Sequence, residues 1–398
     1  LTTPEHQFRN VLVLSCCQAL SMSGSVMVFA VVALAGAMLA PAPELATLPL
    51  GLHFLSMMLA TVPASLLMGK VGRRAGFTIG QLSGFCGALL SMWALLAGSF
   101  WGLVFAAMPI GVHNAFFQYL RFAAADVSSP AFRPKAISYV MAGGVVAGFL
   151  GPELAKRTAD LFAPAMFAGP YAALACLCLL NIMALQLVRI PLPAALSRHE
   201  TGRNLWEIAR QPTFAVAAFS AMIGYGVMNL VMVATPLAMV GCGFAFADSA
   251  EIIRWHVLGM FVPSFFTGGL IRRFGVLRII STGGALLVLS LAINLSGIAF
   301  INFWVGLVLL GVGWNFMFVG GTALLGEAHG HEERAKAQAL NDFLVFTTTA
   351  LTSFASGAVQ SALGWQAVNT LSLAPVLLAL GAAIWLERSR RAAASAPS

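Results

Sequence analysis

The sequence predicts an all-α membrane protein in which twelve transmembrane helices form two pseudo-symmetric six-helix halves. Three observations predict it: an apolar composition cut into long runs, a one-sided distribution of Lys and Arg, and a repeat at half the chain length. Of 398 residues, 59% are hydrophobic and only 9% charged, against about 25% charged in a soluble domain. A chain this apolar has no means of covering its surface in water. A hydrocarbon core of roughly 30 Å takes about 20 apolar residues per helix.

Such runs fall at 10–40, 45–69, 75–98, 100–123, 135–155, 164–188, 213–240, 250–271, 276–296, 298–325, 336–359 and 365–387. Gly98-Ser99 and Gly297 divide the two most closely spaced pairs. The first run shows no cleavage-site pattern and is expected to stay as a span. The six Cys fit neither a metal-finger nor a secreted-disulfide spacing.

With twelve spans, nineteen of the 22 Lys and Arg fall on one side. They sit around Arg9, Lys70–Arg74, Arg121–Lys135, Arg189–Arg210, Arg272–Arg278, Arg334–Lys336 and Arg388–Arg391. Only Lys156, Arg157 and Arg254 fall on the other. Positive charge accumulates on the cytoplasmic side of membrane helices, so both termini are expected in the cytoplasm. The net charge of +8 is thereby topological, and no nucleic-acid partner is implied.

The repeat is carried by the loops after spans 2 and 8. Gly69-Lys-Val-Gly-Arg73-Arg74-Ala-Gly76 and Gly268-Gly-Leu-Ile-Arg272-Arg273-Phe-Gly275 both read G-x-x-x-R-R-x-G, 199 residues apart. Val62-Pro63 and Val262-Pro263 precede them. Asn114, Asp126, Arg133, Lys135 and Ala136 match Asn315, Glu327, Arg334, Lys336 and Ala337 at a spacing of 201. The chain is therefore expected to comprise a half at 1–188, a cytoplasmic linker at 189–212 and a second half at 213–398.

Parallel six-helix repeats are characteristic of major facilitator transporters, and the loops resemble that superfamily's signature G-x-x-x-D-[RK]-x-G-R-[RK]. Gly69, Arg74 and Gly76 match, as do Gly268, Arg273 and Gly275; Arg73 and Arg272 replace the expected Asp. The resemblance implies the fold, alternating access and a gating role for these loops. It does not give the cargo, since one fold serves many substrates.

For the cargo, the reading turns on Met and His. Met228-Asn-Leu-Val-Met232 in span 7 and His256-Val-Leu-Gly-Met260 in span 8 are i,i+4 pairs, each on one helix face. The two spans run antiparallel, which sets the pairs at matching depth. Thioether and imidazole ligands suit Cu(I), though Met is also a common filler of apolar cores. M-x-x-x-M followed by H-x-x-x-M resembles the CcoA-type bacterial copper importers of the superfamily. That resemblance implies copper import across the inner membrane, supply to cbb3-type cytochrome oxidase assembly, a cytoplasmic copper acceptor, and Met228, Met232, His256 and Met260 as metal ligands. A single copy of the chain is expected to suffice.

Other candidates are weighed beside their plainer readings. His53 and Met57, with Met27, offer a face of the first half toward the site, or else His53 is a satisfied interhelical histidine. Met239 extends the Met228 face outward, or packs. His113 and Asn114 are read as interhelical hydrogen-bonding groups. Cys16-Cys17 and Cys176-x-Cys178 diverge on a helix and read as packing. Asp342 is a candidate for proton coupling, or pairs with a basic residue at the cytoplasmic rim. His329 and His331 read as solvated.

A different function is also open: proton-coupled efflux of small organic compounds, supported by Gly144-Val-Val-Ala-Gly148-Phe-Leu-Gly151-Pro152, which partly resembles the antiporter pattern G-x-x-x-G-P. A membrane sensor is disfavoured for want of a soluble domain, and no nucleophile–base or phosphate-binding pattern suggests an enzyme.

Overall fold

The computed structural model describes residues 4–129, 131–188, 190, 203–330 and 333–395. Arg189 and Arg198 of the expected linker, and His331, lie outside them. All regular structure among the described residues is helical. In hydrocarbon a helix satisfies its own backbone hydrogen bonds, which an open strand cannot do.

The helices are α1 (Pro4–Leu39), α2 (Leu48–Val71), α3 (Arg73–Leu96), α4 (Phe100–Phe117), α5 (Leu120–Asp126), α6 (Arg133–Thr158), α7 (Ala168–Gln186), α8 (Leu205–Ala209), α9 (Pro212–Gly241), α10 (Phe246–Phe261), α11 (Ser264–Phe274), α12 (Val276–Ser296), α13 (Phe300–Leu325) and α14 (Arg334–Ser395). Among the described residues, ten helical stretches are long and apolar enough to cross a bilayer. The close pairs part where expected. Gly98 has φ +63° and Ser99 Oγ accepts from Gly102 N at 3.1 Å. Before α13, Asn302 Oδ1 accepts from Ala299 N at 3.2 Å.

Two regions differ from the simple run pattern. The run 250–271 is divided into α10 and α11 at Val262-Pro263, where proline supplies no N–H to the helix ladder. Pro63, its counterpart in the repeat, lies inside the unbroken α2. The runs 336–359 and 365–387 form the two arms of α14, which turns at Gly364 with φ 78° and ψ 179°. That backbone conformation favours glycine.

The repeated loops are not superposable either. Gly72 (φ 87°) ends α2 before the arginine pair, whereas Gly275 (φ 91°) ends α11 after it. Arg73 and Arg74 therefore open a helix while Arg272 and Arg273 close one. Arg73 meets a carboxylate after all, Asp126 at the end of α5, at 2.6 Å. Glu327, the repeat counterpart of Asp126, instead takes Arg390 at 2.7 Å. Gly69 and Gly268 have open space where a side chain would stand, and Gly76 packs against Met68.

Packing is densest within α1–α7 and within α9–α14. Asparagines fasten each group. Asn114 Nδ2 donates to His53 Nε2 at 2.7 Å, and Asn114 Oδ1 accepts from Ser25 at 3.0 Å. Asn315 Nδ2 donates to the Met260 carbonyl at 2.7 Å, and its Oδ1 accepts from Thr267 at 2.7 Å. The second asparagine thus secures the backbone at the α10–α11 break. Outside the span helices, Arg203 holds the Glu333 carboxyl at 2.7 Å and pushes it down to about 2. The pair therefore stays charged across the ordinary carboxylate titration range and is lost only as pH falls through about 2.

Three seams join the groups: α6 on α10, α2 on α14, and α1 on α9. Glycines make them close. Gly144 and Gly148 of α6 receive Phe261 and Leu258 of α10, and Gly51 of α2 receives Phe354 of α14. The glycine run that resembles an antiporter motif is thus a packing surface. Beside the α6–α7 loop the first seam ends in an ion network. Glu153 binds Arg157 at 2.6 Å and, across the seam, Arg254 at 2.8 Å; Arg254 also binds Glu251 at 2.8 Å, and Lys156 lies 3.8 Å from Glu153. All three basic residues assigned by sequence to the sparsely charged side belong to this one network.

Two outcomes follow from these contacts. Asn315→Ala strands the Met260 carbonyl, and its expected cost of about 1–3 kcal/mol is read as a fall of several degrees in the thermal midpoint of detergent-purified protein. Arg254→Gln removes the bond to Glu153 across the α6–α10 seam. Maleimide labelling of Val257→Cys, whose side chain packs against Gly148 in that seam, should rise severalfold; unchanged labelling would mean that the network does not hold the seam shut.

Candidate functional site

The four residues expected to hold copper are all buried, but on helices with different neighbours. The helix α9 packs mainly on α14 and α13, and α10 on α13 and α6. His256 Nδ1 lies 2.8 Å from the Leu307 carbonyl of α13, which fixes the ring against that helix. Met228, Met232 and Met260 belong to one large apolar core together with Met27, Met57 and Met239. His53 is held by Asn114 and edged by Phe29 and Phe54. His113 lies 3.3 Å from the Gly80 carbonyl. Among the described residues no group of three or more His, Cys, Asp or Glu is placed to hold a metal ion.

The open space lies elsewhere, in a cavity between the two helix groups on the side of the α2–α3 turn. It encloses about 160 Å³ and is walled by α1, α2, the α4–α5 turn, α5, α6, α9, α10, α13 and α14. One wall is aromatic. Trp314 and Phe318, one turn apart on α13, stack at 5.2 Å and 10°. Tyr225 of α9 stands edge-on to both at 5.5 and 5.4 Å, and Phe261 of α10 is edge-on to Trp314 at 6.2 Å. The glycines of α9 and α13 permit this approach: Gly224 lies against Met317.

The facing wall carries Gln18 and Met22 of α1, and Gln18 Nε2 points at Met22 Sδ, 3.8 Å away. Trp314 Nε1 and Gln18 Oε1 are buried and have no hydrogen-bond partner. Unpartnered atoms also occur inside packed interfaces, such as His256 Nε2 and Ser91 Oγ. Trp314 and Gln18 differ because their side chains border the cavity. A buried polar atom left unmatched costs about 1–3 kcal/mol, but neither of these two atoms is itself open to the cavity in this conformation. At the mouth stand Tyr119, whose hydroxyl donates to the Thr61 carbonyl at 3.0 Å, and Arg121 and Asp342.

A larger groove of about 770 Å³ runs past Trp206, Phe214, Phe219 and Leu344. Its lining is nearly all apolar and lies within the α8–α14 group, away from the seams. It lacks the paired walls and the unmatched polar atoms of the central cavity.

Sequence reasoning missed the aromatic wall. Its signal was present as Trp314-x-x-x-Phe318, an i,i+4 pair beside the repeat-matched Asn315. A search for metal-ligating side chains passes over aromatic groups. Asp342, which the sequence offers for proton coupling or for pairing at the cytoplasmic rim, lines the cavity.

Residues 14–293 match the Major Facilitator Superfamily. The riboflavin transporter RfnT of Brucella anthropi is 39% identical over 392 residues, covering 98% of each chain. The uncharacterized MFS-type transporter YdeG of Bacillus subtilis is 26% identical over 82% of this chain and 81% of its own. A crystal structure of a bacterial homologue of the human lysosomal transporter Spinster superposes with a TM-score of 0.71 at 14% identity, over 97% of this chain and 98% of that one. This last likeness bears on the fold alone.

The expectation of a CcoA-like copper importer feeding cbb3-type oxidase assembly is overturned, along with copper as cargo and a cytoplasmic copper acceptor as partner. A near-full-length relative carries a riboflavin transporter's name, and among the described residues no group of three or more His, Cys, Asp or Glu is placed to hold a metal ion. The physical reason is that i,i+4 Met and His pairs are produced as readily by core packing and interhelical hydrogen bonding. By its sequence match and its near-full-length likeness to RfnT, the chain is a multi-pass inner-membrane transporter, not an enzyme, and belongs to the Major Facilitator Superfamily.

Proposed function

We propose that the protein moves a small planar organic molecule of the riboflavin type across the membrane by alternating access through the central cavity. The observation that carries this reading is the aromatic wall of Tyr225, Trp314 and Phe318 facing Gln18 across the cavity. A fused heteroaromatic ring presents carbonyl and ring-nitrogen acceptors, an N–H donor and two flat faces. Such walls suit it by stacking, and the cavity of about 160 Å³ has to widen to admit the whole molecule, since ligand pockets run to roughly 300–1,000 Å³. The name of the relative from Brucella anthropi supports the same chemical class.

In this reading the chain crosses the membrane twelve times in two halves, 1–188 and 213–398, with 189–212 as a cytoplasmic linker and both termini in the cytoplasm. Supporting this, α14 would measure about 93 Å if straight, three bilayer cores, at 1.5 Å per residue. Its turn at Gly364 makes two crossings of one helix, and α10 with α11 makes another. The cavity is then open on the cytoplasmic side and shut on the outside by the three seams. The arginine-bearing loops at Gly69–Gly76 and Gly268–Gly275 are placed to guide the rocking of the halves.

Purified protein in vesicles should exchange labelled riboflavin for unlabelled riboflavin, and Trp314→Ala should weaken its apparent affinity about tenfold, the loss of roughly 1.4 kcal/mol expected for one stacking partner. Exchange of riboflavin with wild-type affinity by Trp314→Ala would remove the aromatic wall from the cargo site. Reporter fusions at either terminus should read as cytoplasmic; a periplasmic reading at one end would give an odd number of crossings.

A further inference from the structure

We propose that the large apolar groove beside α8 binds one anionic phospholipid, with an acyl chain in the groove and the headgroup phosphate on Arg210. The inference rests on the chain's place in a membrane and is independent of the cargo reading. The groove holds about 770 Å³, within the roughly 300–1,000 Å³ over which pockets take up small molecules. Phe214, Ala218 and Met222, spaced by four on one face of α9, line it together with Leu340 and Leu344 of the first arm of α14. Trp206 lines it from α8, just before α9 begins. Apart from that indole, Asn204 is the one polar side chain in the lining, and it is turned to its own backbone, accepting from Trp206 N at 3.3 Å.

The length of the groove selects its occupant. From Phe214 to Met222 the helix α9 rises about 12 Å at 1.5 Å per residue, less than half of the roughly 30 Å of hydrocarbon in a bilayer. A second membrane helix, from another copy or another protein, packs along the whole thickness. An acyl chain hung from the interface reaches only to the middle, and the groove ends at that depth. The level of the interface is set by α8. Its Ile208 is buried in the core, while Leu205 and Trp206 are 38% and 63% exposed. Tryptophan, apolar in its body and polar at its N–H, collects at the membrane–water boundary.

Charge selects the headgroup. Arg210 follows the last residue of α8, is exposed, and rests its guanidinium over the Trp206 ring at 4.8 Å. A cation is thereby fixed against a residue of the groove. Neighbouring arginines at this end of the bundle are taken by carboxylates: Arg203 by Glu333 at 2.7 Å, Arg390 by Glu327 at 2.7 Å, and Arg391 by Glu387. Among the described residues no carboxylate pairs with Arg210, Glu207 on the same short helix included. The planar fork of a guanidinium matches a phosphate with two parallel hydrogen bonds. A zwitterionic lipid brings an ammonium to the same place, whereas an anionic lipid keeps its net charge for the arginine.

The experiment uses the purified full chain in detergent, offered dioleoyl phosphatidylglycerol and dioleoyl phosphatidylcholine in equal amounts, with bound lipid counted by native mass spectrometry. Wild type should retain phosphatidylglycerol over phosphatidylcholine by about fivefold, the preference expected of one arginine near an anionic headgroup, and should keep it in excess inorganic phosphate. Arg210→Gln should lose the preference but still retain lipid of both kinds. Ala215→Trp, which places a ring in the groove lining, should lose retention of both. Equal retention of the two lipids by wild type, a measurement that needs no variant to fold, overturns the proposal. So does a preference of wild-type size in Arg210→Gln, full retention by Ala215→Trp, or release of the lipid by phosphate alone. Cross-linking of Ala215→Cys between two copies in phosphatidylcholine vesicles, above the wild-type level, would put a second copy in the groove in place of the lipid.

Discussion

The absence of water in the bilayer is the constraint on which the rest of this structure depends. It leaves the backbone no partner but itself, so the chain is helical wherever it is apolar. It also makes every interruption of a helix a local problem with a local answer. At Val262-Pro263 the answer is Asn315, which reaches from α13 to the Met260 carbonyl. At Gly364 it is a residue with no side chain to clash in a positive-φ turn. Between helices, where no hydrophobic effect drives association, close approach comes from glycine: Gly51, Gly144 and Gly148 let the two groups meet backbone to side chain.

The same constraint gives meaning to the polar groups inside. Most are consumed by interhelical bonds, as at Asn114, Asn229 and Asn294. Gln18 and Trp314 stand apart in that their side chains border open space. The central cavity combines them with stacked aromatic rings on one wall. At its mouth, opposite charges stand on opposite helix groups. The aromatic wall and the charged pair thus share one cavity. The seams on the far side are held by glycine contacts and by the Glu153–Arg254 network.

The copper expectation shows how a sequence pattern misleads in such a protein. Spacing of four residues reports only that two side chains share a helix face; it does not report what that face meets. For Met228 and Met232 the face is buried in the common apolar core, and for His256 it includes the Leu307 carbonyl. Methionine is useful for filling irregular space, so a chain with 17 of them supplies ligand-like pairs without a metal. The antiporter-like glycines of α6 repeat the lesson, being accounted for by the side chains of α10 that they admit.

What the sequence determined by itself is what depends on short-range order and composition. The helical spans, their ends at Gly98-Ser99 and Gly297, the repeated asparagines and the superfamily all follow from runs, turn residues and spacing, because lipid forces apolar runs into helices. The tertiary structure decided what depends on which faces meet. It broke α10 at Pro263 while leaving α2 whole at Pro63, set the arginine pairs on opposite sides of their turn glycines, and gathered Lys156, Arg157 and Arg254 into one network. It also brought Tyr225, Phe261, Trp314 and Phe318 from three helices around one cavity. No pattern along a single helix encodes that meeting, since it is fixed by the rotation and depth of each helix against its neighbours.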